Sequence, residues 1–373
     1  MKILLIAGHE FLFNPQNGGQ KLSFQNYKTL IDIVGEGNVY LCMFSNNTYE
    51  ALPSNVYVFP TQQSKLELIK NTISMRNVCD KKTEKQELAF IEKLDYDIIY
   101  VDSSTIGSWI KKINPKKPVI TFFHNVEKKY AWNKVIHENI GFLVAYLSYW
   151  YNEKNAIKFS TKIVTLTERD SGLLDKIYGR RADCILPITF KDTYQEEVAE
   201  KYKTIHKRLL FIGSLFQPNV DGIKWFVRSV MPEIPEYHLQ VVGKGLENQK
   251  DILKADNVDV IGTVDNLDEY YYDADAVVIP IFYGDGMKVK TAEALMYGKY
   301  IFASDEPLVG YDTKNTDGVY RCNTAREFVE SIQKHFSKNN VPKISELNRR
   351  LFLEKYESSV SREKLKELID SIV

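Results

Sequence analysis

Residues 280–295 read Pro280-Ile-Phe-Tyr-Gly284-Asp285-Gly286-Met287-Lys288-Val289-Lys290-Thr291-Ala292-Glu293-Ala294-Leu295. The apolar run over 276–280 predicts a strand ending where this segment starts. Two glycines then allow a tight turn. The pattern after Lys288 predicts a helix over 288–297. Strand, glycine turn and helix make part of a βαβ unit, the repeat of a parallel sheet. A helix that starts there presents unpaired N–H groups beyond the strand end, which suits an anion such as a diphosphate. Lys288 adds a positive charge at the same place. Glu293 lies five residues further on, in the second helical turn, where its carboxylate can accept hydrogen bonds from sugar hydroxyls.

The same alternation extends outward along the whole chain. Strands are expected at 2–7, 39–43, 98–101, 119–123 and 162–166. Further strands are expected at 208–212, 238–242, 258–261, 276–280 and 300–303. Helical patterns lie between them at 21–34, 64–74, 85–94 and 138–160, then at 220–230, 248–255, 267–272, 288–297 and 325–336. The last stretch, 359–373, is amphipathic and also helical in pattern. This order predicts an α/β protein built from two Rossmann-like, doubly wound domains. Leu186-Pro187 breaks the pattern, and 191–207 is charged and poor in apolar residues. The domains are therefore placed at 1–190 and 208–355, with 191–207 as the linker. Ligands of such sheets bind beyond the carboxyl ends of the strands, so the functional residues belong in the loops that follow strands.

The chain has 373 residues, which fits two domains. Lys plus Arg and Asp plus Glu both number 49, so the net charge is zero. That excludes a strongly basic nucleic-acid binder and an acidic disordered chain. The four cysteines are too far apart in sequence for a zinc site of ordinary spacing, and they read as free thiols in a reducing compartment. The apolar start stops at Ala7, which favours a first strand over a signal peptide. No run reaches the ~18 apolar residues that span a bilayer. The stretch between Glu138 and Glu153 is uncharged and aromatic. It reads either as a buried core helix or as a helix lying at a membrane surface.

Two other glycine loops stand out. Asn17-Gly18-Gly19-Gln20 precedes the first helical pattern and could let backbone approach a ligand. Gly243-Lys244-Gly245 follows a strand, but Asn248 replaces the third glycine of a dinucleotide fingerprint, so it is a weak nicotinamide-cofactor signal.

Taken together, the chain resembles the family 4 retaining glycosyltransferases of the GT-B fold. The residues that carry the resemblance are Gly284 through Ala294, a Gly-x-Gly-x-Lys-x-Lys-x-x-Glu-Ala segment. Phe211 to Phe226 is similar to the opening of the family's donor domain, and Val258 to Val264 to its base-binding strand and loop. Thr121 to Glu127 and Thr165 to Asp170 are similar to two strand ends of its acceptor domain. The chain departs from the family at Asp285, where many members carry Glu, at Ser214, where many carry Arg, and at Asn219, near a common Lys.

The resemblance implies two domains facing across a cleft, with the final helix at about 356–373 packing back on the first. It implies transfer of a sugar, with retention, from a nucleotide-sugar to a hydroxyl of a glycan, glycoprotein or lipid-linked acceptor. UDP is favoured by family frequency. On the donor side, Glu293 would bind ribose, and the amides of Gly286, Met287, Lys288 and Val289 would hold the diphosphate. Lys288, helped by Lys290, would neutralise it, and Gly284 and Asp285 complete the loop. Gly18 and Gly19 would close on the phosphates, Gly213 and Ser214 would line their other side, and main chain near Val264 would contact the base. His124 would face the sugar as a catalytic residue with Lys288, and Asn125 and Glu127 are acceptor-side candidates. No metal or cofactor is expected, because lysines and amides supply the positive potential. No nucleic-acid partner is expected. Synthesis of surface polysaccharide or another glycoconjugate, in the cytoplasm or at the inner membrane face, is the setting this implies. The alternative is a non-catalytic relative that binds nucleotide or glycan and stabilises an active enzyme.

Overall fold

The computed structural model describes the chain apart from residues 8–14, 16–17, 50, 62–63, 114–115, 138, 315, 339 and 373. Contacts divide it into two units: Met1–Pro187 with Ser361–Val373, and Ile188–Val360.

Among the described residues the first unit holds seven strands: β1 Ile3–Ile6, β2 Val39–Phe44, β3 Val56–Phe59, β4 Ile98–Val101, β5 Val119–Phe123, β6 Lys162–Thr165 and β7 Cys184–Ile185. Their order is β3-β2-β1-β4-β5-β6-β7, and every pairing is parallel. The second unit holds β8 Arg208–Ile212, β9 His238–Val242, β10 Val258–Gly262, β11 Ala276–Ile279, β12 Tyr300–Ala303 and β13 Val319–Arg321. Their order is β10-β9-β8-β11-β12-β13, again all parallel. In each unit the order reverses beside the first strand, between β1 and β4 and between β8 and β11. Crevices for ligands form at such points.

The central strands are continuous apolar runs because helices cover both faces of a parallel sheet. Every residue of β1, β4, β5, β11 and β12 is buried. One core gathers Leu4, Val101, Trp109, Phe123 and Ile163, and the other gathers Phe211, Ile223, Phe226, Val241 and Phe302. Capping boxes start two helices, with Ser64 and Glu67 before Lys65–Ile73 and with Thr324 and Glu327 before Ala325–Phe336. Cys42, Cys79 and Cys322 are buried, and all four cysteines are free thiols.

Several expectations change. Strands β3, β7 and β13 are additional; each is short, and none is fully buried. The helix expected over 248–255 is a single 3-10 turn, Leu246–Gln249. The stretch expected as one helix over 138–160 is a 3-10 turn, Ile140–Phe142, followed by the helix Leu143–Phe159; Glu138 lies outside the described residues. A separate helix, Glu127–His137, precedes it. Residues 191–207 group with the second unit instead of standing free. Asp192 pairs with Arg349 at 2.7 Å, the Gln195 amide donates to the Tyr272 hydroxyl at 2.7 Å, and the His206 amide donates to Asp275 at 2.8 Å.

Candidate functional site

In the second unit, the loops after β8, β9, β10 and β11 stand in a row on the carboxyl side of the sheet. They interlock through backbone. The Gly213 amide donates to the Val242 carbonyl at 3.0 Å, Leu215 to Lys244 at 2.9 Å, and Gly243 to Gly262 at 2.7 Å. A Cβ on Gly243 would sit 1.8 Å from the Gly213 carbonyl oxygen. The glycines of Gly243-Lys244-Gly245 therefore allow one loop to cross another, and this close approach accounts for them without a dinucleotide. Val264 is half-buried two residues beyond β10 at the end of the row.

Beyond β11 the chain turns through Gly284 and Gly286, at φ 144° and 68°, conformations that glycine adopts without strain. The helix Val289–Met296 then begins, with Lys288 at its N-cap and no acidic residue in its first turn. The Lys288 ammonium folds back over this turn. It donates to the carbonyls of Asp285 at 2.9 Å and Gly286 at 3.2 Å, and it meets Glu306 at 3.1 Å. Lys288 thus shapes the loop as well as charging it. The Met287 side chain is buried, and its sulfur accepts from the Ile188 amide at 3.4 Å, so only its main chain can serve a ligand.

Lys290 lies over the Phe211 ring, 4.8 Å from its centroid, and donates to Asn219 Oδ1 at 2.8 Å. Asn219 in turn donates to the Ser214 carbonyl at 3.0 Å, which ties the loop after β8 to the helix after β11. Burial, with the nearby Lys288 charge, pushes the Lys290 ammonium down to about 7, against the opposing pull of Glu293. An anion arriving here would restore its charge. Glu293 is half-buried, and its Oε2 accepts from the Tyr271 hydroxyl at 3.0 Å. Tyr271 is itself fixed, stacked on Tyr297 at 4.7 Å between ring centroids. Tyr271 escaped the sequence reading because nothing local distinguishes it among 23 tyrosines.

In the first unit, Asp102 directly follows β4 and His124 directly follows β5, so adjacent strands bring them together. His124 Nε2 lies 3.3 Å from Asp102 Oδ1, and both side chains are buried. Asn26, on the helix Gly18–Val34, donates to the same oxygen at 2.6 Å. Burial alone would raise the Asp102 carboxyl, but the neighbouring His124 charge and the Asn26 hydrogen bond hold it below the ordinary range. Burial alone would lower His124, but Asp102, with help from Glu127, raises it above its ordinary value. The two directions agree: each charge favours the other. Neither Asp102 nor Asn26 was singled out from sequence, since their pairing is a long-range contact.

Asn125 and Glu127 follow His124, half-buried, with Asn125 Nδ2 donating to Glu127 at 3.4 Å. The buried Glu153 carboxylate caps the helix that starts there, accepting from the Glu127 amide at 2.6 Å and the Tyr178 hydroxyl at 2.6 Å. Burial pushes Glu153 up to about 8, and the Glu127 charge adds to this against those hydrogen bonds. Gly18 and Gly19 are exposed in the first turn of their helix, which begins three residues earlier than expected. Asn17 and the loop 8–14 lie outside the described residues. Among the described residues, no cluster of three or more His, Cys, Asp or Glu side chains could hold a metal.

Solved structures share this architecture. Sucrose-phosphate synthase from Thermosynechococcus elongatus matches at a TM-score of 0.76 and 14% identity, covering 100% of this chain and 99% of that one. Anabaena HepE in complex with UDP and glucose matches at 0.69 and 12% identity, covering 100% of both chains. A mutant of S. aureus TarM in complex with Fondaparinux, alpha-GlcNAc-glycerol and UDP matches at 0.69 and 14% identity, covering 99% of this chain and 100% of that one. A comparison with curated proteins gave no match. The fold is the two-domain α/β type of the GT-B glycosyltransferases. Residues 206–338, within the second unit, match the family model described as glycosyl transferases group 1.

Proposed function

We infer that the protein is a retaining glycosyltransferase that moves a sugar from a nucleotide-sugar to a hydroxyl of a glycan, glycoprotein or lipid-linked acceptor. The observation that carries this reading is the turn at Gly284–Lys288 within the matched domain. It joins a glycine turn, a helix start free of acidic side chains, two lysines and a tyrosine-held carboxylate. UDP is the favoured nucleotide, supported by the UDP bound in the HepE and TarM structures.

In this reading the helix amides and Lys288 bind the diphosphate, Lys290 gains a proton as it arrives, and Glu293 takes the ribose hydroxyls. Gly213, Ser214 and main chain near Val264 complete the donor side. Acceptor recognition falls to the first unit, with His124 held by Asp102 and with Asn125 and Glu127 nearby. Breaking the sugar–phosphate bond places negative charge on the leaving diphosphate, and donors already in position stabilise it most in the transition state. The acceptor hydroxyl bonds to the anomeric carbon on the face the diphosphate leaves, and its proton passes to a leaving phosphate oxygen. Neither a metal nor a cofactor is needed for this charge balance. Cytoplasmic glycoconjugate synthesis is the setting we assign.

A thermal-shift panel of UDP, GDP, ADP, TDP and NAD tests the donor reading. A rise in Tm with one nucleoside diphosphate, UDP first, is the expected result. A shift with NAD alone, or with none of them, would overturn it, and the second outcome would favour the non-catalytic alternative. Slow release of UDP from a UDP-sugar without acceptor would then separate enzyme from binder.

A further inference from the structure

The helix Leu143–Phe159 is inside out. Its buried residues include Ser148, Asn152, Glu153 and Asn155, while Leu143, Leu147 and Trp150 are exposed. A helix facing water and core carries the reverse pattern. The buried polar groups all have structural work. Asn152 accepts from the Ser108 amide at 2.9 Å, Ser148 donates to Asn77 at 2.7 Å, and Glu153 caps the neighbouring helix. The apolar outer face is exposed instead, and it continues onto adjoining elements. Trp132 and Ile136 are exposed on Glu127–His137, and Ile140 is 77% exposed on the 3-10 turn between the two helices. The helix Lys65–Ile73 packs alongside and exposes Leu66 at 80% and Ile73 at 59%. Contiguous exposed apolar surface of this kind marks an interaction site.

The charges decide what covers it. Helices Glu127–His137 and Leu143–Phe159 carry five lysines, at 128, 129, 134, 154 and 158, against Glu127 and the buried Glu153. Lys154 and Lys158 continue the exposed stripe of Leu143, Leu147 and Trp150. The Lys128 ammonium lies 5.2 Å from the Trp150 ring centroid, and Lys134 lies 4.8 Å from that of Phe142. Amphipathic tryptophans and long lysines around an aliphatic centre suit the interface of a bilayer, where apolar groups enter the acyl boundary and ammonium groups reach lipid phosphates. A symmetric pairing of two copies would instead set this lysine cluster against itself. Among the described residues no helix is long and apolar enough to cross a membrane, so the contact would lie on the surface.

We propose that this face of the first unit docks on an anionic lipid bilayer. The surface owes nothing to the donor site, and its test uses no nucleotide. The full chain is sedimented with vesicles of phosphatidylcholine alone and with vesicles containing about one-third phosphatidylglycerol. The expected result is binding to the anionic vesicles that weakens with salt, and little binding to the neutral ones. At about 1 kcal/mol per lysine near such a surface, Lys128→Ala with Lys134→Ala lowers the partition roughly thirtyfold. Leu147→Glu with Trp150→Glu removes it, with the melting temperature measured to show that the fold persists. Absence of binding, equal binding to both vesicles, or unchanged binding by folded variants would overturn the proposal. So would a dimer in solution that the Leu147→Glu, Trp150→Glu variant dissolves, since that would assign the face to self-association.

Discussion

Glu293 is anchored through Oε2, which accepts from the Tyr271 hydroxyl at 3.0 Å. In the proposed donor site, replacing it with alanine would remove charged hydrogen bonds to ribose. Glu293→Ala should weaken nucleotide binding by about 2 kcal/mol, or roughly thirtyfold in Kd, measured by calorimetry. An unchanged Kd would move the ribose contact elsewhere. Asp102 and His124 make a prediction with a definite sign. His124 is raised, so its share of stability is complete below its unfolded value near ~6.5 and is lost as pH climbs through its folded value. Asp102 is lowered, so its share holds above ~3.9 and is lost as pH falls through its folded value. The stability gap between the native protein and Asp102→Asn should therefore be widest between about pH 4 and 6.5 and should narrow at higher pH. Denaturant titrations across pH measure it, and an imidazole resonance of His124 should titrate lower in the variant. The segment 284–293 was legible because its glycines, lysines and carboxylate lie close together in sequence. Asp102 was not, because its partner Asn26 is 76 residues away in the chain, and a strand-end aspartate looks the same with or without such a partner.

At the scale of elements, the buried strands were readable because a run covered on both faces is apolar at every position. Strands β3, β7 and β13 do not meet that condition, and two to four residues are too few to show a period. The helix Gly107–Ile113 was missed for a related reason: it is seven residues long and opens on a glycine. That glycine is there for packing. A Cβ on Gly107 would lie 1.9 Å from the Asn152 carbonyl oxygen and 2.6 Å from the Ala156 nitrogen, both backbone atoms of the inside-out helix. The two helices cross where only hydrogen fits between them. Gly107→Ala should destabilise the protein by about 1–3 kcal/mol in urea unfolding. It should do so with little change in nucleotide affinity, because its damage stays in the first unit.

For the molecule as a whole, the sequence marked two domains through its repeated alternation, but it misplaced the segment joining them. Polar composition suggested a loose linker at 191–207, whereas the pairings of Asp192, Gln195 and His206 occur within the second unit. Composition reports which residues tolerate water, not which have found partners. The first unit is discontinuous in sequence, ending with Ser361–Val373, whose helix buries Leu365, Leu368 and Ile369. A chain cut after Val360 should therefore lose stability in the first unit while the second still melts as before, a split that calorimetric scanning of the shortened chain would reveal. Synthesis runs from one end to the other, so the unit begun first is the last one completed. On the ribosome its sheet must wait, with one stretch of core uncovered, while the entire second unit emerges and folds. A protein built in this order has a built-in interval of exposure, and the cell's chaperones would meet the first unit during it.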